Sequence, residues 1–182
     1  MYVVGEMLRR TFEDTMNALV GGAGLPKECL KIGPLKDPIR IYEKVSHKGL
    51  SHMIIPTNQL TPSPSFQAMD DYASRFDDSV PPTACVADML RCLTLCSDGP
   101  GMLALLLLMS QDGGFQHTTD EGVKVILELI RTKNKCDPAK VPPVHLRNVL
   151  VNLRLHAKGT IVFVELQVHH EDIRHMVTRM GV

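Results

Sequence analysis

The chain of 182 residues is 44% hydrophobic, 22% charged and 4% aromatic, and its 20 basic and 20 acidic side chains cancel. A chain of this length and apolar content builds one hydrophobic core without disulfides or a structural metal, which excludes a disordered or fibrous protein. The longest apolar run, Met102–Met109, falls far short of the roughly 20 residues a bilayer-spanning helix needs. No membrane span is expected, and zero net charge argues against a general nucleic-acid binder, which needs excess Lys and Arg to displace phosphate counterions. The charge is unevenly placed: residues 1–122 carry ten basic and fifteen acidic side chains, residues 123–182 ten basic and five acidic. The positive C-terminal part either faces an anion or attracts the rest of the fold.

Five cysteines, Cys29, Cys85, Cys92, Cys96 and Cys136, form no C-x-x-C pair and are odd in number. They read as reduced thiols of an intracellular protein, cytoplasmic by default. Glu6, Glu13 and Asp14 count against a transit peptide, although entry into an organelle by a lost presequence stays open.

Val4, Leu8, Phe12, Met16 and Leu19 recur at helical spacing up to Gly21, which predicts an amphipathic helix over 1–20. A second helix is expected from Pro38, with Asp37 as its N-cap, to about Lys48. Residues 49–82 are rich in Pro, Ser, Thr and Asp and read as a long loop or lid, in which Phe66, Met69, Ala73 and Phe76 share one helical face. A strand is expected over Ala84–Leu95, a turn at Ser97–Pro100, and a buried helix from Met102 to about Ser110. Val123, Val125, Leu127 and Leu129 alternate with Lys124, Ile126, Glu128 and Ile130, a strand running into the basic stretch 131–135. Asn148–Leu155 and Ile161–Val168 flank a glycine turn at 157–160 and read as a hairpin, followed by a last helix over 171–182. The expected architecture is one α+β domain over 1–182, a mixed sheet flanked by helices.

On the last strand Glu165 and Gln167 share a face opposite Val164, Leu166 and Val168. A carboxylate amid apolar strand residues needs a cation. Asp88, flanked by Val86, Ala87, Met89 and Leu90, is a second such acid. If their strands are neighbours, the two acids either hold one Mg²⁺ or are each neutralised by a side chain such as Arg91 or Lys133. Lys36, Arg40 and Lys44 stand four residues apart, so that the charges at 40 and 44 stack on one helical face; such a set is either solvated or gathered on a phosphate. The glycines at 21, 22 and 24 lack the Gly-Lys-Ser/Thr ending of a P-loop. His169, His170 and His175 do not offer zinc spacing.

In order, these segments resemble the RelA/SpoT-like nucleotidyltransferase domain of (p)ppGpp synthetases. Lys36 to Lys44 is similar to the family's nucleotide-binding helix start, and 86–91 to its metal-aspartate strand. The basic strand 131–135 with 145–152 is similar to the region of its Gly-Tyr motif. Val164-Glu165-Leu166-Gln167-Val168 is similar to its closing Glu-x-Gln strand, the most specific of the four. The resemblance spans about residues 33–176. It implies Mg²⁺ on Asp88 and Glu165, with Glu165 as the one catalytic candidate. It also implies a nucleotide held by Lys36, Arg40, Lys44, Arg91, Lys133 and Gln167.

The chain departs from that pattern where substrate is held. Pro34 stands at an arginine position, Arg40 at a serine, Leu93 at the arginine after the metal aspartate, and His145-Leu146 at Gly-Tyr, whose ring stacks on the acceptor base. Stacking on a base is worth ~1–3 kcal/mol in nucleic-acid systems. The expectation is a divergent, non-synthesising domain that acts as a binding or structural module, with protein partners in a larger assembly. The alternative is an active Mg²⁺-dependent pyrophosphotransferase or nucleotidyltransferase with an altered substrate.

Overall fold

The computed structural model describes residues 2–37, 39, 89–136 and 147–179. Helix α1 spans Tyr2–Gly22 and buries Leu8, Phe12, Met16 and Leu19 completely, the face the sequence spacing predicts. Its end is closed by the two hydrogen bonds of a Schellman motif, from Leu25 N–H to Val20 O at 3.1 Å and from Gly24 N–H to Gly21 O at 3.0 Å.

A single 3₁₀ turn at Lys27–Cys29 leads into strand β1, Leu30–Ile32. The remaining strands among the described residues are β2 (Leu90–Cys96), β3 (Phe115–Thr118), β4 (Lys124–Asn134), β5 (Val149–Ala157) and β6 (Thr160–His170). They form one six-stranded sheet in the order β1-β2-β6-β5-β4-β3. Only β2 and β6 run parallel; every other neighbouring pair is antiparallel. The architecture is therefore the mixed α+β sheet that the sequence predicts.

Helix α2 spans Gly99–Met109. It begins inside the stretch predicted as a turn, because Asp98 caps it: Asp98 Oδ1 accepts the Gly101 N–H at 2.6 Å, and Pro100 sits in the first turn, where its missing N–H is harmless. The predicted hairpin is present, and its tight turn is made by Lys158 (φ 51°) and Gly159 (φ 69°), both left-handed as a two-residue β-turn of this hand requires. Strand β4 carries a bulge between Leu129 and Arg131 that the alternation does not announce. Strands β1 and β3 are additions to the predicted elements: three and four residues are too short to display a period. Strand β2 begins at Leu90, so residues 84–88 of the predicted strand lie outside the described residues, as do most of the predicted helix from Pro38 and the whole predicted loop 49–82. A last helix, α3, covers Glu171–Arg179.

The core lies on one side of the sheet. Leu90 and Cys92 of β2, Val151, Leu153 and Leu155 of β5, and Val164, Leu166 and Val168 of β6 pack with α1 and with Leu105 and Met109 of α2. Each large apolar side chain so buried contributes about 1.5–3 kcal/mol. Because side chains alternate across a strand, the intervening residues all emerge on the opposite face, and that is where the polar chemistry collects. Cys92 and Cys96 are buried, Cys29 and Cys136 are partly exposed, and all four are free thiols; Cys85 lies outside the described residues. Burial pushes the Cys96 thiol up to about 11 and raises Cys92 further still, so both stay protonated and inert. No helix among the described residues is long and apolar enough to cross a membrane.

Candidate functional site

The register sets polar residues in rows across the face away from the helices. Arg91 of β2 pairs with Glu165 of β6, Glu165 with Asn152 of β5, and Asn152 with Arg131 of β4. The bulge before Arg131 restores it to this face. A second row runs Leu93, Gln167, Leu150, Lys133. Neighbours in a row stand about 4.8 Å apart along the sheet, so Glu165 has a guanidinium-bearing residue on one side and an amide on the other. Of the residues predicted from sequence, Arg91, Lys133, Glu165 and Gln167 thus share one face. Lys133 is exposed at its outer side. Lys36 is buried and is brought next to β2 by its N–H, which donates to Met89 O at 3.2 Å. Asp88, Arg40, Lys44, His145 and Leu146 lie outside the described residues.

A chain of hydrogen bonds runs along β6 from Glu165. Gln167 Nε2 donates to Glu165 Oε1 at 2.8 Å, His169 Nε2 lies 3.4 Å from Gln167 Oε1, and the Asn148 side-chain amide lies 3.1 Å from His169 Nε2. His169 is buried, and its pKa falls to about 4, first because burial disfavours its charged form and then because Arg174 and Lys135 repel it. A neutral imidazole protonated on Nε2 donates towards Gln167. Turning the Asn148 amide over brings its Oδ1, otherwise buried without a partner, to the same N–H. His169 is thus an anchor that holds Gln167, which in turn holds Glu165. Sequence alone weighs this histidine only as a metal ligand and misses the anchoring role, although its position two and four residues from Gln167 and Glu165 on a strand signals a shared face.

A second polar cluster on the same face is also absent from the sequence expectations. Arg154 faces Glu128 across β4 and β5, and His156 also reaches Glu128 Oε2. The signal exists: Asn152, Arg154 and His156 alternate with Val151, Leu153 and Leu155, a period of two with polar groups in phase.

Of the two acids expected to hold Mg²⁺, Glu165 stands on this face and Asp88 lies outside the described residues. A hard divalent cation collects oxygen ligands, and Glu165 supplies one carboxylate. Its in-register neighbour is a fixed positive charge, and the described residues hold no group of three or more His, Cys, Asp or Glu placed to bind an ion. What the described face offers is a carboxylate held by the Gln167 amide, with Arg91, Arg131 and Lys133 spread about it.

No family model and no curated protein matches the sequence. Among solved structures, the crystal structure of small alarmone synthetase 1 from Bacillus subtilis, bound to its product pppGpp, matches over 97% of this chain and 73% of its own, with a TM-score of 0.51 and 11% sequence identity. At that identity the likeness is one of fold. It agrees with the α+β sheet expected from the sequence, in which the strand carrying Glu165 and Gln167 lies between β2 and β5. The chain shares the fold of that synthetase, the mixed α+β sheet expected of a RelA/SpoT-like domain, and Glu165 stands on the polar face of that sheet.

Proposed function

We propose that this domain is a non-synthesising RelA/SpoT-like module that binds an anionic ligand of the nucleotide class on its polar face and acts as a binding or structural part of a larger assembly. The observation that carries the reading is the register of Arg91 with Glu165. An acid poised to receive a metal has, on the adjacent strand and the same face, a permanent guanidinium. The substitutions in the sequence point the same way. Leu93 cannot contact a phosphate as arginine does, and Leu146 cannot stack on a base as tyrosine does. Phosphoryl transfer depends almost wholly on positioning and charge stabilisation, so a domain lacking the acceptor platform loses the step rather than slowing it modestly.

The test is a thin-layer assay of the purified chain with labelled ATP and either GDP or GTP, alongside Glu165→Ala. The expected result is no (p)ppGpp above that control. Robust product that disappears in Glu165→Ala overturns the reading and establishes a pyrophosphotransferase.

A further inference from the structure

The row containing Arg91 and Glu165 has one more member. Gly33 follows β1 and continues its register opposite Arg91, with its N–H donating to the Arg91 carbonyl at 2.8 Å. A Cβ at position 33 would stand 2.9 Å from Arg91 Cγ and 3.3 Å from Nε, so the arginine stem lies over bare glycine backbone. Among the described residues the Arg91 guanidinium makes no hydrogen bond or ion pair, while Glu165 is engaged by Gln167 instead. On β1 and β2 this face presents Lys31, Arg91, Leu93 and Leu95, two cations and no acid. The guanidinium therefore looks out from a locally positive sheet edge.

We propose that Arg91, seated over Gly33, grips the phosphate chain of a polyphosphate-bearing ligand and takes there the part a divalent cation would play, so that binding needs no metal. A guanidinium suits this role because it carries its charge at every physiological pH and presents a planar fork of N–H donors matched to two phosphate oxygens. Gly33 is what makes the seat, since any larger residue would push the stem off the row. The inference rests on the non-synthesising reading and specifies what its polar face binds.

The experiment is calorimetric titration of the full chain with inorganic tripolyphosphate and with ATP, each in EDTA and in Mg²⁺. Both probes are expected to bind in EDTA. Arg91→Gln is expected to raise Kd about tenfold or more, which corresponds to ~1.4 kcal/mol or more. Gly33→Ala should weaken binding in the same direction, and Arg91→Lys should recover part of the loss. Thermal melting of each variant separates lost binding from lost fold, and Arg91→Gln keeps the test intact if Gly33→Ala unfolds. Absence of binding in EDTA, an Arg91→Gln affinity equal to that of the parent, or binding of ATP without tripolyphosphate overturns the proposal. A chain that makes no (p)ppGpp yet binds anions regardless of Arg91 keeps the preceding reading and loses this one.

Discussion

Glu128 and Arg154 meet across β4 and β5 through a single carboxylate oxygen: Oε2 accepts from Arg154 Nε at 2.6 Å and from Arg154 Nη2, and His156 Nε2 lies 2.8 Å from it. The Arg154 side chain is 9% exposed and that of Glu128 30%, so removing the acid strands a nearly buried charge. Glu128→Ala is expected to destabilise the fold by roughly 2–3 kcal/mol in urea unfolding, below the range for fully buried pairs because Glu128 is partly solvated. Adding Arg154→Leu should recover most of that loss. Burial alone would raise the Glu128 carboxyl, but the hydrogen bonds and charges of Arg154 and His156 outweigh it and hold the pKa below the ordinary value. The pair's contribution is therefore present above the ordinary carboxylate range and is lost as pH falls through the lowered folded value. Glu128→Ala should flatten that acid limb.

His169 gives a second, separate pH dependence. Its folded pKa of about 4 lies below the ordinary histidine value of about 6.5, so the unfolded chain binds the extra proton first. Stability is full above the ordinary value and declines as pH falls from there towards about 4, below which both states carry the proton. Urea unfolding at pH 7 and pH 5 should differ in the parent and differ less in His169→Gln, which keeps a hydrogen-bonding side chain without a titrating group. An equal pH 7 to pH 5 difference in both proteins would place the effect elsewhere.

Gly114, at φ 75° before β3, lies against β4: an added Cβ would fall 2.7 Å from the Leu127 carbonyl oxygen. Gly114→Ala combines a left-handed backbone with a collision and should cost roughly 2–3 kcal/mol. Gly159 has a similar φ of 69° but nothing within 4 Å of its added Cβ. Gly159→Ala should cost only about 1 kcal/mol, the backbone penalty alone. Melting temperatures of the two variants, compared directly, separate steric from conformational effects.

On α2, Leu105 is fully buried whereas Leu107 is 60% exposed. Leu105→Ala should destabilise by about 2–5 kcal/mol through the lost transfer energy and the cavity left behind. Leu107→Ala should fall within about 0.5 kcal/mol of the parent. Chemical denaturation of both variants checks whether the all-apolar sequence of this helix conceals so sharp a division.

That division shows where sequence reading stops. The run Met102–Met109 has no polar phase to reveal which side faces the sheet, while in α1 the spacing of Leu8, Phe12, Met16 and Leu19 identifies the buried face directly. The same contrast holds at the site. Glu165 and Gln167 are legible because two polar groups in phase on an apolar strand break a pattern. Gly33 is not, because its meaning lies in which residue stands opposite, and sequence carries no strand pairing. Arg91 is legible as a cation, with its pairing to Glu165 left open. Register places the two side by side, through the parallel alignment of β2 with β6, which brings together residues more than seventy positions apart. The fold class survives because it depends on alternation and helix spacing summed over many residues, which a few errors at element ends do not disturb.

The strand order has a temporal consequence. β6, the last of the described strands in chain order, lies between β2 and β5, so β1 and β2 cannot join the β3–β5 part of this sheet until translation has passed about residue 170. Until then a nascent chain exposes the apolar side of β2 and one open flank of the β3–β5 meander, both templates for pairing with the wrong strand. Closure by a distant segment carries a large entropic barrier, so assembly of this sheet is intrinsically slow. The domain gains its polar face in a single late event, when the strand bearing Glu165 slots between its neighbours and aligns Gly33, Arg91, Asn152 and Arg131 at once.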